Sequence, residues 1–179
     1  MGHLILDQLI NNKNNNTNIQ QSFQEIPNFN NVSININKQL YSNVIFLKNL
    51  NFMNISGNAL IPVWNSIINK YKNNTDQSIN YKVEILVIYD ELEKEVGKYQ
   101  LRFGKVSSRG HNGLKSIVNG FGNEFYRLGV GIGRPNRLNN QNYKSIANYV
   151  LDKIPENDWE KIQYDVIPKI EEIIDELRS

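Results

Sequence analysis

The stretch with the clearest chemical potential is residues 109–118, where two glycines bracket a histidine and an asparagine ahead of an amphipathic run. Gly110 and Gly113 allow the chain to turn sharply, and the run that follows has the apolar spacing of a helix. A helix N-terminus offers free N–H groups and a positive dipole end to anionic or carbonyl ligands. Asn112 would add one amide donor and one acceptor. The stretch predicts a ligand-binding loop or, alternatively, a plain connection whose His111 and Asn112 only cap the helix.

A carboxylate follows the most apolar strand pattern of the chain. Residues 83–89 read Val-Glu-Ile-Leu-Val-Ile-Tyr, a run typical of a central strand in a parallel sheet. Asp90 comes directly after this run, and ligands of such sheets bind beyond the carboxyl ends of parallel strands. Asp90 is therefore a candidate catalytic carboxylate, and the alternative is a helix cap or a turn residue.

Apolar spacing predicts a scaffold in which strands alternate with helices. The predicted strands are residues 22–26, 32–37, 44–48, 83–89, 98–103 and 128–132. The predicted helices are residues 1–10, 56–71 with Ser56 as N-cap, 110–120 and 143–151, and one or two over 154–179 with Pro168 in the first turn of the last. This alternation favours an α/β fold, a single domain over residues 1–179 with a mixed, mostly parallel sheet flanked by helices. The Asn-rich residues 11–18 predict an exposed loop.

Composition narrows the classes of function. The 179 residues include no Cys and only two His, His3 and His111, which excludes disulfides and thiolate metal sites. A His-rich metal site is not expected either. No apolar run reaches the roughly 18 residues needed to cross a membrane. We expect a protein without metal, other cofactor or membrane span, and by default a monomer.

Positive charge is concentrated around the Gly-rich segments. Residues 98–137 contain eight Lys and Arg and one acidic residue, although the whole chain has a net charge of only +2. A basic block of this kind fits a polyanionic partner such as RNA. Its alternative is an ordinary solvated charged face.

Four ordered motifs carry a resemblance to a known family. They read Asn-Phe-Met-Asn-Ile-Ser-Gly at 51–57, Asp-Glu-Leu at 90–92, Gly-His-Asn-Gly-Leu-Lys at 110–115 and Arg-Leu-Gly-Val-Gly-Ile-Gly-Arg-Pro at 127–135. Together they resemble the bacterial-type peptidyl-tRNA hydrolase family, in its eukaryotic or organellar branch. The resemblance runs from residue 1 to roughly Leu151.

The resemblance implies hydrolysis, without a metal, of the ester that joins a peptide to the 3′-terminal ribose of tRNA. A His acts as general base on water, and Asp90 matches the Asp that orients it. Asn54 and Asn112 match side chains that contact the substrate and the developing oxyanion. Phe52 matches an aromatic that packs beside the tRNA 3′ end. His111 matches a neighbouring His that is usually structural.

The resemblance also implies contacts to tRNA phosphates. Arg102 occupies a basic position of the family, and Lys105 and Arg109 add charge to the Gly-rich loop. Gln100 and Gly129 stand where a Lys or Arg is common. Phosphate contact is therefore expected, and the sequence leaves discrimination between types of tRNA open.

The clearest departure from the family lies at the N-terminus. The family's catalytic His precedes the position that aligns with Met1, so the first β-strand and the general base are missing from this sequence. His3 would stand about one helical turn from the required place, and we do not assign it as the base. We expect an N-terminally incomplete sequence, and the missing base leaves the activity of the sequence as given in doubt. The same gap leaves the mitochondrion and the cytoplasm open as compartments.

Two other functions are compatible with the sequence. A non-catalytic RNA-binding relative of the family would bind tRNA without hydrolysis, although such a protein has no need of Asp90. A nucleotide-binding α/β protein could use the glycines of residues 129–133, but these lack the G-x-G-x-x-G spacing.

Overall fold

The computed structural model describes residues 1–14, 22–36, 43–74, 82–105, 107, 110–135 and 146–179. The chain divides into two compact units. The first unit comprises Met1–Asn15, Leu86–Arg102 and Arg127–Ser179, and the second comprises Asn16–Ile85 and Phe103–Tyr126.

The elements follow one another in the alternating order that the sequence predicted. The strands are β1 (Gln24–Ile26), β2 (Phe29–Asn35), β3 (Phe46–Asn49), β4 (Leu86–Glu91), β5 (Tyr99–Phe103) and β6 (Tyr126–Gly131). The helices are α1 (Gly2–Asn14), α2 (Ser56–Asn74), α3 (Asn112–Phe121), α4 (Ile146–Leu151), α5 (Glu156–Lys161) and α6 (Ile167–Arg178). A 3₁₀ turn (Met53–Ile55) precedes α2, and a π-helical turn (Ile162–Val166) joins α5 to α6.

In the second unit, a three-stranded antiparallel sheet in the order β1-β2-β3 is covered by helices. The two-residue turn Pro27–Asn28 joins β1 to β2, and Asn28 has the positive φ of 70° that such turns use. Helix α2 packs against β2 and β3, and α3 packs against α2. The core of this unit is formed by Val32, Phe46, Val63, Leu114, Ile117 and Phe125.

In the first unit, the strands of the second sheet lie in the order β4-β6-β5. The Tyr126 N–H donates to the Ile85 carbonyl at the start of β4 and β6. At their other end, the Ile132 N–H donates to the Glu91 carbonyl. The two strands therefore run parallel, because the same sequence offset separates both pairs.

Helices α1 and α6 complete the first unit by packing on each other and, for α1, on β4. A Cβ added to Gly2 would lie 2.8 Å from the Ile88 carbonyl oxygen, so the start of α1 approaches the strand closely. Pro168 stands in the first turn of α6, as predicted. The buried face of α6 consists of Ile167, Ile170, Ile173 and Ile174.

The prediction of an α/β class with mixed strand directions is confirmed. The prediction of a mostly parallel sheet is wrong for β1, β2 and β3, which pair antiparallel. A two-residue turn can join only antiparallel neighbours. Among the described strands, β4 pairs with β6 alone and not on both sides, as a central strand would. No helix in the described ranges is long and apolar enough to cross a membrane.

Helix α1 continues through Asn14, where a loop was expected from residue 11 onward. The helix is already anchored by the buried side chains of Ile5, Leu9 and Ile10. Extending an anchored helix by a residue of modest propensity costs only a few tenths of a kcal/mol, roughly, per residue. Residues 15–18 of the expected loop and 143–145 of the expected fourth helix lie outside the described residues.

Candidate active site

The second unit contains a polar concavity of about 440 Å³. Asn112, Lys115 and Asn119 follow one another at intervals of about one turn on the exposed face of α3. Ser116 also belongs to α3, whereas Asn54 belongs to the 3₁₀ turn and Asn58 to α2. The lining of the concavity contains amides, a hydroxyl and one ammonium group, and no carboxylate among the described residues. We call this site the polar concavity; it is lined by Asn54, Asn58, Asn112, Lys115, Ser116 and Asn119.

Asn112 is the first residue of α3, and His111 fixes it there as the N-cap. The His111 Nδ1 accepts a hydrogen bond of 3.1 Å from the Leu114 N–H, and the His111 carbonyl accepts one of 3.1 Å from the Lys115 N–H. Gly110 precedes the cap at a φ of +86°, which a side chain rarely allows. This geometry leaves the Asn112 side chain exposed at the helix N-terminus.

Asn54 belongs to the 3₁₀ turn, which the Ile55 N–H closes by donating to the Phe52 carbonyl over 3.1 Å. The turn rests on α3 through Met53, because a Cβ added to Gly113 would lie 2.8 Å from the Met53 Cγ. Phe52 is 79% exposed beside it. Asn54 is also exposed, so both predicted substrate amides open into the polar concavity.

The backbones of α2 and α3, the two helices that border the polar concavity, approach each other closely at Gly57 and Ser116. A Cβ added to Gly57 would lie 2.1 Å from the Ser116 carbonyl oxygen. The Gly57 N–H donates to the Ser116 Oγ over 2.9 Å. Ser116 thus satisfies one of the free N–H groups at the start of α2, and this contact fixes the two helix starts relative to each other.

The prediction of Ser56 as the N-cap of α2 is wrong. Ser56 has helical dihedral angles, because the 3₁₀ turn runs directly into the helix. Its hydroxyl donates backward to the Met53 carbonyl over 2.7 Å and accepts from the Asn49 Nδ2 over 2.8 Å. Ser56 therefore stabilises the turn that carries Asn54.

Asp90 lies in the first unit, one residue before the end of β4, and it is half-buried. It lines a cavity of about 500 Å³ together with Ile132, Tyr149 and Asp158, among others. The Tyr149 hydroxyl donates to the Ile132 carbonyl over 2.7 Å. Burial raises the pKa of the Tyr149 hydroxyl, and the Asp158 carboxylate adds to the rise. The position of Asp90 agrees with the predicted strand end.

Arg102, a predicted phosphate contact, turns its guanidinium into the first unit. Its side chain is 11% exposed and pairs with the Glu91 carboxylate, with 3.4 Å between Nη1 and Oε2. The same Nη1 lies 3.4 Å from the Tyr89 hydroxyl, and Nη2 donates to the Gln100 side chain. A phosphate could reach this guanidinium only in competition with Glu91.

Arg127 completes a group that we call the charged cluster, which consists of Tyr89, Glu91, Gln100, Arg102 and Arg127. Arg127 is 1% exposed, and burial lowers the pKa of its guanidinium. Burial likewise raises the pKa of the Tyr89 hydroxyl, and Glu91 raises it further. Gly129 makes room for that hydroxyl, because an added Cβ would lie 2.9 Å from it.

Of the predicted site residues, the structure groups Phe52, Asn54, His111 and Asn112 in the second unit. Lys105 is exposed in the same unit, whereas Arg109 lies outside the described residues. Sequence reasoning missed Asn58, Ser116 and Asn119 as lining residues and Asn49 as a partner of the turn. Lys115 and Asn119 follow Asn112 by three and seven residues, so helical spacing could have placed them on the same helix face as Asn112. No local signal in the sequence indicated Asn49, Asn58 or Ser116.

Comparison with known proteins identifies relatives of this chain. The family model described as peptidyl-tRNA hydrolase matches residues 1–179. The probable peptidyl-tRNA hydrolase of Schizosaccharomyces pombe is 34% identical over 137 residues, which cover 76% of this chain and 62% of the relative. The peptidyl-tRNA hydrolase of Clostridium perfringens is 36% identical over 135 residues, covering 75% of this chain and 61% of the relative. The chain thus spans about three fifths of the length of these curated relatives.

The fold is also found among solved structures. A crystal structure of peptidyl-tRNA hydrolase from Acinetobacter baumannii is similar with a TM-score of 0.65 at 23% identity, covering 98% of this chain and 79% of that chain. This likeness concerns the fold alone. The match of the family model over all 179 residues carries the assignment. The chain belongs to the peptidyl-tRNA hydrolase family.

Proposed function

We propose that the protein hydrolyses the ester bond of peptidyl-tRNA, releasing the peptide and free tRNA. The observation that carries this proposal is the polar concavity, where Asn54 and Asn112 present two exposed amides in a chain of this family. The absence of carboxylates from its described lining suits a substrate that carries phosphates and develops an oxyanion.

The two amides serve the reacting carbonyl. In the reaction, the oxygen of water bonds to the ester carbon, the bond from that carbon to the ribose oxygen breaks, and a proton passes to the ribose oxygen. Asn54 and Asn112 donate N–H groups to the carbonyl oxygen as negative charge develops on it. Each such donor typically contributes about 100-fold to 1000-fold in kcat.

Asp90 is proposed to orient the general base by accepting its ring N–H, as a carboxylate does in a catalytic triad. Its half-buried place near the end of β4 supports this role. His111 is not proposed as that base, because its Nδ1 already accepts from the Leu114 N–H. His3, exposed in the first turn of α1, is not proposed either.

The tRNA backbone is proposed to contact Lys105 and Arg109. Lys105 is exposed, and Arg109 belongs to the same basic block of the sequence. Arg102 is a weaker candidate for a phosphate contact than its sequence position implied, because Glu91 already neutralises its guanidinium. Lys115 supplies the cation that lines the polar concavity.

The test is hydrolysis of N-acetyl-aminoacyl-tRNA by the protein isolated with its native N-terminus and by variants of it. Asn54→Ala and Asn112→Ala should each lower kcat/KM about 100-fold, the effect of removing one oxyanion donor. Asp90→Asn should lower kcat by about 1000-fold or more with little change in KM. The matched control is Asn157→Ala, an exposed amide on α5, which should leave the rate unchanged.

A second candidate is an RNA-binding protein without hydrolysis, which is favoured because neither His3 nor His111 is proposed as the general base. A protein of this kind should bind tightly to a tRNA whose peptide is attached by an amide bond. It should not release the peptide from a tRNA that carries it as an ester. Rapid hydrolysis that survives Asp90→Asn and Asn112→Ala would contradict the residue roles proposed above. If the unmodified protein neither binds the tRNA nor hydrolyses the ester, both candidate functions are contradicted.

Residues 1–179 act as one domain, which is supported by the family model's span across both units. The protein is a monomer, to be tested by light scattering. It works in the mitochondrion or the cytoplasm, where tRNAs are used in translation, and fractionation of source cells tests this.

A further inference from the structure

One side chain ties the two ends of the loop between β3 and α2, the loop that carries Asn54. The Asn49 Nδ2 donates to the Ser56 Oγ over 2.8 Å and to the Asn51 carbonyl over 3.4 Å. Its Oδ1 accepts from the Asn51 N–H over 3.0 Å. Both functional groups of the Asn49 amide are therefore committed to the loop and are not available to a substrate.

Ser56 transmits this restraint to the turn itself. Its hydroxyl donates its single proton to the Met53 carbonyl over 2.7 Å, so it receives the Asn49 N–H on a lone pair. Met53 then packs against Gly113, where an added Cβ would lie 2.8 Å from the Met53 Cγ. Gly113 follows Asn112 directly. The contacts that begin at Asn49 therefore lead through Ser56 and Met53 to the neighbour of Asn112, whose amide lines the polar concavity.

Apolar burial gives this loop little support. Leu50 is 50% exposed and Phe52 79% exposed, and Met53 is 42% exposed. Surface segments with few buried apolar contacts open at low free energy. The hydrogen bonds of Asn49 therefore add to the closing bond of the 3₁₀ turn and to the Met53–Gly113 contact in holding the exposed loop in one conformation.

We propose that Asn49 is a positioning residue that acts through Asn54. By holding the loop, it keeps the Asn54 amide over the polar concavity and opposite Asn112. The inference rests on the proposed function, because it takes Asn54 as a substrate contact.

A double-mutant cycle tests it, with the unmodified chain, Asn49→Ala, Asn54→Ala and the double variant. The readouts are the Kd for a tRNA with an amide-linked N-acetylated amino acid, which cannot be hydrolysed, and kcat/KM on the ester. Asn49→Ala should weaken binding about 5-fold to 10-fold, the effect of losing one or two hydrogen bonds. In the Asn54→Ala background the same change should weaken it by less than about 2-fold, because residues that act as a unit are not additive.

A purely structural role gives a different result. The matched control is Asn35→Ala, whose buried Nδ2 donates to the Ser22 carbonyl over 3.3 Å at the far end of the β2–β3 pair. This variant should lower Tm without changing Kd. If Asn49→Ala does not fold, Asn49→Asp replaces it, because a carboxylate keeps the bond from the Asn51 N–H and loses the donation to Ser56; it should show the same lack of additivity with Asn54→Ala.

These measurements distinguish a failure of the role of Asn49 from a failure of the proposed function. If the unmodified chain binds, and the effects of Asn49→Ala and Asn54→Ala add fully, the inference is wrong while the proposed function stands. The inference is also wrong if Asn54→Ala leaves binding unchanged. If the unmodified chain neither binds the amide-linked tRNA nor hydrolyses the ester, the proposed function fails and the inference fails with it.

Discussion

The polar concavity of the second unit and the charged cluster of the first unit both contain residues that the sequence marked as functional. In the concavity, Asn54 and Asn112 stand at a 3₁₀ turn and a helix start, and both are exposed. In the cluster, Arg102 stands within β5 and directs its guanidinium toward Glu91. The 3₁₀ turn and the helix start leave Asn54 and Asn112 exposed, whereas the strand β5 directs Arg102 across one face of its sheet. Two polar residues marked by the sequence thus differ in their access to a ligand because of where their side chains are directed.

The largest effect should come from breaking the helix contact beneath the polar concavity. Gly57→Ala places a Cβ 2.1 Å from the Ser116 carbonyl oxygen, and neither backbone can move without shifting a helix. We expect a loss of more than about 3 kcal/mol in the free energy of unfolding, above the usual range for overpacking. Urea unfolding, followed by the fluorescence of Trp64 in a Trp159→Phe background, measures it in the second unit.

Gly120→Ala is the control for that substitution. Its added Cβ would also be crowded, but by the Cγ1 and Cδ1 atoms of the Ile61 side chain and not by backbone. The cost should be about 1 to 2 kcal/mol, below that of Gly57→Ala, because the Ile61 side chain can rearrange although its χ1 angle is restricted in a helix. Equal losses for the two variants would show that the backbone approach at Gly57 is not special.

A smaller effect should follow from removing the anion of the charged cluster. Glu91→Ala removes the carboxylate that pairs with the largely buried Arg102 inside the first unit. The expected loss is about 2 to 3 kcal/mol, somewhat below that of a fully buried pair because Arg102 keeps Gln100 as a partner. Trp159 fluorescence in a Trp64→Phe background reports this unit.

Glu93→Ala provides the comparison at the surface. Glu93 pairs with Arg134, and both side chains are more than two fifths exposed. Such exposed pairs contribute about 0 to 1 kcal/mol, so the variant should unfold almost as the unmodified chain does. A Glu91→Ala variant as stable as Glu93→Ala would mean that the cluster tolerates unpaired charge.

The smallest effect concerns binding of tRNA and compares two cations directly. Lys105→Gln should reduce the slope of log Kd against log salt by about one, the change expected for one lost phosphate contact. Arg102→Gln should lower stability and leave the slope unchanged, because its charge is already paired with Glu91. A reduced slope for Arg102→Gln would restore it as a phosphate contact.

The sequence anticipated the elements because apolar periodicity is a local property. The runs at 44–48 and 98–103 are found as β3 and β5 within two residues at each end. The loop before α3 was anticipated for a similar reason, since the glycine at 110 marks a left-handed position. These features depend on neighbours in the chain.

What the sequence did not indicate depends on contacts between distant residues. The bond from the Gly57 N–H to the Ser116 Oγ spans 59 positions, and the pairing of Arg102 with Glu91 joins β5 to β4 across the intervening strand β6. The tie from Asn49 to Ser56 depends on a turn whose shape the sequence alone does not specify. Such pairs require the fold to be known first, so motif positions were found while the residues that hold them were missed.

The π-helical turn at Ile162–Val166 gives the C-terminal helices a place that tolerates a change in chain length. Ile162 and Val166 are both fully buried, and α6 continues from them with its own buried face. A π-helical turn takes up one residue more than an α-helical turn, whereas each residue of an α-helix turns the chain by about 100°. Deleting one exposed residue of the turn should therefore leave α-helix there and keep the isoleucines of α6 close to their present face. The same deletion inside α6 would rotate every later side chain by about 100°.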